Sequence, residues 1–176
     1  MATMLAAVTE QVGPPEVIKV REVPRPRVRD GWSLVRVRGF GLNRSELFTR
    51  QGHSPSVVFP RIQGIECVGE VVEATVGAPP VGTTVAAVMG EMGRAFDGGY
   101  AEYALLPNDL LIPIATELPW DVLAALPETY LTAFGSLQAL AVTEGGTLLV
   151  RGGSSSVGMA ALSLATGQNL RTIATT

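Results

Sequence analysis

The sequence predicts two fold classes in succession: a β-rich first part, built as a small barrel or sandwich, and an α/β second part. Three observations carry this. Short β-prone runs separated by Gly/Pro turns recur up to about Ile114. Helical patterns then take over, from Leu118 to Ala141. Thr147–Val150, a Gly/Ser turn and a helix start follow one another without a gap. The junction falls near Pro127, so the expected domains are residues 1–126 and 127–176.

In the first part, Met4 to Thr9 and Val17 to Val23 read as strands joined through Gly13-Pro14-Pro15. Pro24, Pro26 and alternating arginines make an extended connection. Trp32 to Arg38 alternates, with Ser33, Val35 and Val37 on one side and Leu34, Arg36 and Arg38 on the other, as a half-buried strand does. Asn43 to Arg50 is a short helix in which Asn43 and Glu46 have capping-box spacing. Gln51 to Arg61 is a loop that holds the one histidine, His53. Ile65 to Val76, Gly82 to Val88 and Tyr100 to Leu106 are further strands. Met89 to Gly99 is glycine-rich and expected to be mobile.

In the second part, Leu118-Pro119-Trp120 opens a helix through Leu126, and Glu128 to Ala141 forms another. Thr147 to Val150 is a strand. Val157, Ala160, Ala161 and Leu164 then fall on one helical face, Asn169 is a left-handed stop, and Thr172 to Thr175 is a last strand. Between strand and helix, small residues let backbone approach a phosphate, whose charge the helix N-terminus favours. In the G-x-G-x-x-G frame the positions are Gly153, Ser155 and Gly158, so a serine replaces the middle glycine. The same turn also reads as a tight connection with serines as N-caps, and only context separates the two readings.

Composition narrows the function classes. With 176 residues, 47% hydrophobic and 16% charged, the chain suits one ordinary domain or two small ones and not a disordered tail. No apolar run is long enough to span a membrane, and Met1 to Gln11 lacks the pattern of a signal peptide, so a cytoplasmic location is the default. One cysteine, Cys67, excludes an internal disulfide and a cysteine cage for zinc. Net charge is −3, with the bases concentrated in the first fifty residues. Arg25, Arg27, Arg29, Arg36 and Arg38 have only Trp32 interleaved, so a solvated strand face fits better than a nucleic-acid surface. There is no G-x-S-x-G elbow. Cys67 in a β-run reads as a small core residue, and Glu66 with Glu70 as a common strand pattern. A phosphate-binding turn beside a β-domain remains, and that combination suggests chemistry carried by a cofactor.

Five segments taken together resemble the medium-chain dehydrogenase/reductase superfamily, in its zinc-free quinone oxidoreductase branch. They are Gly41 to Leu47 with Arg50-Gln51-Gly52, Gly64 to Val71, Asp97 to Tyr103, Ala125 to Ala133, and Arg151 to Gly158. The resemblance implies a GroES-like β-barrel domain followed by a partial Rossmann (βαβ) unit. Zinc-dependent relatives place a cysteine where Asn43 stands and a histidine where Ile65 stands, so the resemblance implies no metal and a structural Glu66. Carried over by position, Gly153, Ser154, Ser155, Ser156, Val157 and Gly158 cradle the pyrophosphate of NADPH. Asn43 and Thr132 lie near the nicotinamide, with Tyr130 close by. Asn43 and Tyr130 are the catalytic candidates, as donors to the oxygen of a quinone or enone that receives hydride. Tyr130 reads equally as a helix-packing aromatic. Phe40, Phe48, Phe59, Met89, Met92 and Tyr130 suggest an apolar substrate pocket or simply core.

Family chains are roughly twice this long, and this one is expected to be truncated at the second strand of the nucleotide-binding sheet. Truncation removes the residues that would hold the adenosine ribose and 2′-phosphate, and with them, on one reading, the nucleotide. It also leaves an open Rossmann edge, to be covered by the β-domain folding back, by a missing polypeptide or, at low cost and by preference, by a second copy as a homo-oligomer. Three readings stay open: an NADPH-dependent reductase; a relative that binds a small apolar ligand or catalyses a rearrangement or cyclisation without nucleotide; and a non-catalytic subunit.

Overall fold

The computed structural model describes residues 2–176, and the chain divides into two compact units, one up to Ala125 and one from Leu126 to Thr176. The first contains two sheets. Strands β1 (Thr3–Thr9) and β2 (Ile18–Pro24) form an antiparallel hairpin in continuous register from Thr3↔Pro24 to Thr9↔Ile18. The short strand β4 (Arg61–Ile62) pairs on the other side of β1. Strands β3 (Trp32–Gly39), β5 (Glu66–Glu73), β6 (Thr84–Val88), β7 (Tyr103–Pro107) and β8 (Ile112–Pro113) form the larger antiparallel sheet, in the order β7-β3-β5-β6-β8. Helix α1 (Arg44–Arg50) lies in the connection from β3 to β4.

Alternation explains why these segments bury one face. Val35, Val71, Val85 and Leu106 point into the main core with Cys67 and Ala87, while Met4, Ala6, Val8 and Ile62 close a second core under the small sheet. The sheets are tied where Ala7 N–H donates to Tyr100 O at 2.8 Å and Glu102 N–H to Leu5 O at 3.0 Å. Helix α2 (Trp120–Ala124) lays Leu123 and Ala124 against this unit, and Gly39 leaves room for it: a Cβ there would lie 2.7 Å from the Ala124 Cβ.

Two expectations change here. Leu34 was expected on the solvent side of β3 with Arg36 and Arg38. It is fully buried, as are Ser33 and Val35, because β3 lies between β7 and β5 and its pairing with β5 is irregular beside Leu34. The segment from Met89 to Gly99 was expected to be mobile; it is packed, with Met92 fully buried in the main core. Its Gly93 sits so close to Gly64, which has φ +103°, that a Cβ would lie 2.8 Å from the Gly64 carbonyl oxygen. Glycine serves there for close backbone packing, not for looseness. The long run Ile65 to Val76 also ends earlier as a strand, at Glu73.

In the second unit, helix α3 (Pro127–Leu140) is followed by β9 (Thr147–Arg151), helix α4 (Ser156–Gly167) and β10 (Arg171–Thr175). Strands β9 and β10 are parallel, from Arg171↔Thr147 to Thr175↔Arg151. Left-handed residues stop both helices, Ala141 at φ 48° and Asn169 at φ 56°. The core is small: Leu137, Leu148, Ala165 and Leu170. Every residue of β10 is exposed. Among the described residues no helix is long and apolar enough to cross a membrane.

Candidate functional site

In the first unit a polar cluster is built on helix α1, the loop before it and the start of β5. Asn43 is the N-cap. Its backbone N–H donates to Glu46 Oε2 at 3.2 Å, one half of the capping box read from the sequence. Glu46 is only 6% exposed, and its Oε1 accepts from Ile65 N–H at 2.9 Å. Asn43 Nδ2 donates to Glu66 Oε1 at 2.8 Å, and Glu66 is 2% exposed. Gly41 lies against that carboxylate so closely that any Cβ would overlap it.

Tyr100 completes the cluster. Burial pushes its phenol well above the usual range, followed by the charge and hydrogen bond of Glu46 and then the charge of Glu66. Burial also raises the Glu46 carboxyl, against hydrogen bonds from the Ile65, Glu46 and Asn43 backbones and the Asn43 side chain. Next to Glu66, the Cys67 thiol is pushed up to about 12, by burial first and then by the Glu66 charge, so it is no nucleophile at neutral pH. The Phe40 ring packs on Tyr100 at 4.8 Å, and both line a shallow apolar depression of about 340 Å3 with Val37 and Ala101.

This arrangement fixes one N–H of the Asn43 amide on a buried carboxylate. The Asn43 side chain also hydrogen-bonds the Glu46 carboxyl, so two buried acids hold the amide in place. Asn43 and Ile65 supply neither thiolate nor imidazole, and among the described residues no three His, Cys, Asp or Glu side chains come together as metal ligands.

In the second unit the turn between β9 and α4 places each predicted phosphate residue. Gly152 adopts φ +74°. Gly153 N–H donates to Thr175 O at 2.8 Å. Ser155, the serine in the middle-glycine position, acts as N-cap: its Oγ donates to Gly152 O at 2.7 Å and accepts from Gly158 N–H at 3.1 Å. Gly158 must be glycine, because a Cβ would overlap the Gly152 carbonyl and lie 2.8 Å from Gly153 Cα. Gly153 is equally confined, its would-be Cβ lying 2.7 Å from that of Ala174. Ser154, Ser155, Ser156 and Val157 are exposed, and the N–H groups of Ser156 and Val157, in the first turn, have no helical partner. They are the donors open to an anion, at the positive end of α4.

Tyr130 and Thr132 are both on α3, two positions apart, and so face nearly opposite ways. Tyr130 shares the side of the buried Ala133 and Leu137, whereas Thr132 is exposed with its hydroxyl donating to Glu128 Oε1 at 2.9 Å. Of the apolar set, Met92 is core and Phe40, Phe48 and Met89 are at least 40% exposed. Sequence reasoning missed Glu46 as a buried carboxylate and Tyr100 altogether. The acid at the third helical position gave a signal only for the cap, and nothing local marks Tyr100.

Residues 29–116 match the family model described as the alcohol dehydrogenase GroES-like domain. Human quinone oxidoreductase is 32% identical over 173 residues, 94% of this chain and 50% of that protein. The quinone oxidoreductase of Coxiella burnetii superposes with a TM-score of 0.89 at 29% identity, over 99% of this chain and 57% of that one. The quinone oxidoreductase of Thermus thermophilus, whose structure is described with its NADPH complex, gives 0.79 at 29% identity, over 97% and 52%. The chain spans about half the length of the curated relatives it matches.

Proposed function

Because the chain belongs to the medium-chain dehydrogenase/reductase superfamily, in its quinone oxidoreductase-like branch, we propose that it serves zinc-free, NADPH-dependent reduction of a small apolar conjugated carbonyl, a quinone or an enone, in the cytoplasm. Residues 1–126 form the acceptor-binding barrel and residues 127–176 the opening of the nucleotide-binding domain. The observation that carries this reading is the turn from Gly152 to Gly158, where Gly153 and Gly158 leave no room for a Cβ and the N–H groups of Ser156 and Val157 are open to a diphosphate.

Within Gly153 to Gly158, the first-turn N–H groups of Ser156 and Val157 are the donors that would hold the cofactor's pyrophosphate. When bound, NADPH supplies a hydride. The chain's own residues orient and polarise. Phe40 and the apolar depression beside it hold the acceptor's rings. Asn43, held by Glu66 and Glu46, is the candidate donor to the carbonyl oxygen as charge develops there. On α3, the exposed Thr132 is the candidate for contact with the nicotinamide, and Tyr130, which faces the other way, is the second catalytic candidate through its hydroxyl. The open edges of β9 and β10 are covered by a second copy of the chain.

The test follows nicotinamide absorbance with a quinone, an enone and a saturated ketone as acceptors. Turnover of the first two alone, with kcat lowered by about tenfold or more in Asn43→Ala, is the expected result; equal rates for all three, or none, contradict the reading. Light scattering after size-exclusion chromatography is expected to show a dimer, and a monomer refutes the pairing. A second reading, ligand binding without nucleotide, is favoured by one observation. Gly153 and Gly158 already spend their N–H groups inside the turn.

A further inference from the structure

The first unit holds a cavity of about 460 Å3 that shares no lining residue with the Asn43, Glu46, Glu66 and Tyr100 cluster. Its size suits a small organic molecule. The wall is apolar and aromatic. Trp32 and Phe96 meet edge to face with centroids 4.9 Å apart, so each ring holds the other in place. Met4 and Tyr103 extend that wall.

The rim is cationic: Arg21, Arg29 and Arg61 line the cavity with one acid, Asp97. Arg21 pairs with Glu10 at 3.0 Å, and Arg61 Nη1 with Asp97 at 2.8 Å. Arg29 makes no ion pair among the described residues; its guanidinium lies 3.9 Å from the Trp32 ring centre. One positive charge is therefore left uncommitted. Arg61 Nε is in addition buried without an acceptor among the described residues. Buried donors are normally satisfied by protein, water or ligand. A carboxylate offers two acceptor oxygens and one negative charge.

We propose that this cavity is a binding site for a small aromatic monocarboxylate, its ring against Trp32 and Phe96 and its carboxylate held by Arg29 and by Arg61 Nε. The site is separate from the reductase reading and stands whether or not the chain binds NADPH.

The test uses the full chain with methyl-labelled methionine in NMR titrations. Met4 lines the cavity and reports on it; Met159 lies in the other unit and serves as control. The probes are 3-phenylpropionate and its neutral counterpart 3-phenylpropan-1-ol. The acid is expected to shift the Met4 methyl saturably and to bind about tenfold more tightly than the alcohol. Arg29→Gln removes that preference. Ala95→Trp, at an exposed residue on the cavity wall, abolishes binding of both probes with the unfolding midpoint unchanged. Equal affinity for acid and alcohol, a Met4 signal that does not move, or a preference that survives Arg29→Gln overturns the proposal.

Discussion

The two units solve the same problem unequally. The antiparallel unit buries its apolar side chains in two cores, and consecutive residues of its central strands β3 and β5 are covered. In the parallel pair β9–β10, Leu149 is 60% exposed and Ile173 49%. Parallel strands are normally enclosed on both faces. The difference teaches that the antiparallel unit encloses its cores with its own residues, whereas β9 and β10 carry apolar side chains at the surface.

The largest expected effect separates the two cores. Leu106→Ala, at a fully buried site in β7, is expected to cost about 2–5 kcal/mol in urea unfolding. Leu149→Ser, in the exposed strand of the other unit, is expected to change stability by under about 0.5 kcal/mol. Equal costs would break the comparison.

Next comes the polar cluster, where Asn43→Ala deletes a donor to the buried Glu66 carboxylate and is expected to cost about 1–3 kcal/mol. A neutral outcome would remove Asn43 as an anchored group.

A smaller effect sharpens the account of Glu46. Burial makes this carboxyl harder to ionise when folded, so as pH rises the unfolded chain loses its proton first, near the ordinary value of 4.5. The stabilising contribution is complete below that pH and is lost as pH rises through the raised folded value. Glu46→Gln carries no such loss. Wild type is therefore expected to lose ground to the variant between acid and neutral pH in thermal unfolding. A constant gap would contradict the burial argument.

What the sequence disclosed was local. The β1–β2 hairpin, the capping box at Asn43, the β9-turn-α4 succession and the stop at Asn169 each depend on neighbours within a few residues. What it hid depends on distance. Tyr100 meets Glu46 across 54 positions, and Leu34 is covered by packing that no alternation announces. Met89 to Gly99 looked loose by composition and is packed because its glycines admit neighbouring backbone. The serine at 155 was legible as a cap or as a departure from the glycine frame, and only coordinates show that its hydroxyl takes the Gly158 N–H.

That contact offers the most direct test of the diphosphate seat. NADPH is titrated by its fluorescence against the full chain and against Ser155→Gly, which frees the Gly158 N–H and restores the glycine frame with little loss of capping. Saturable binding, tightened about fivefold in the variant by one regained hydrogen bond, is the expected result. Binding that fails to saturate in both proteins, or that is unchanged by the substitution, would contradict it.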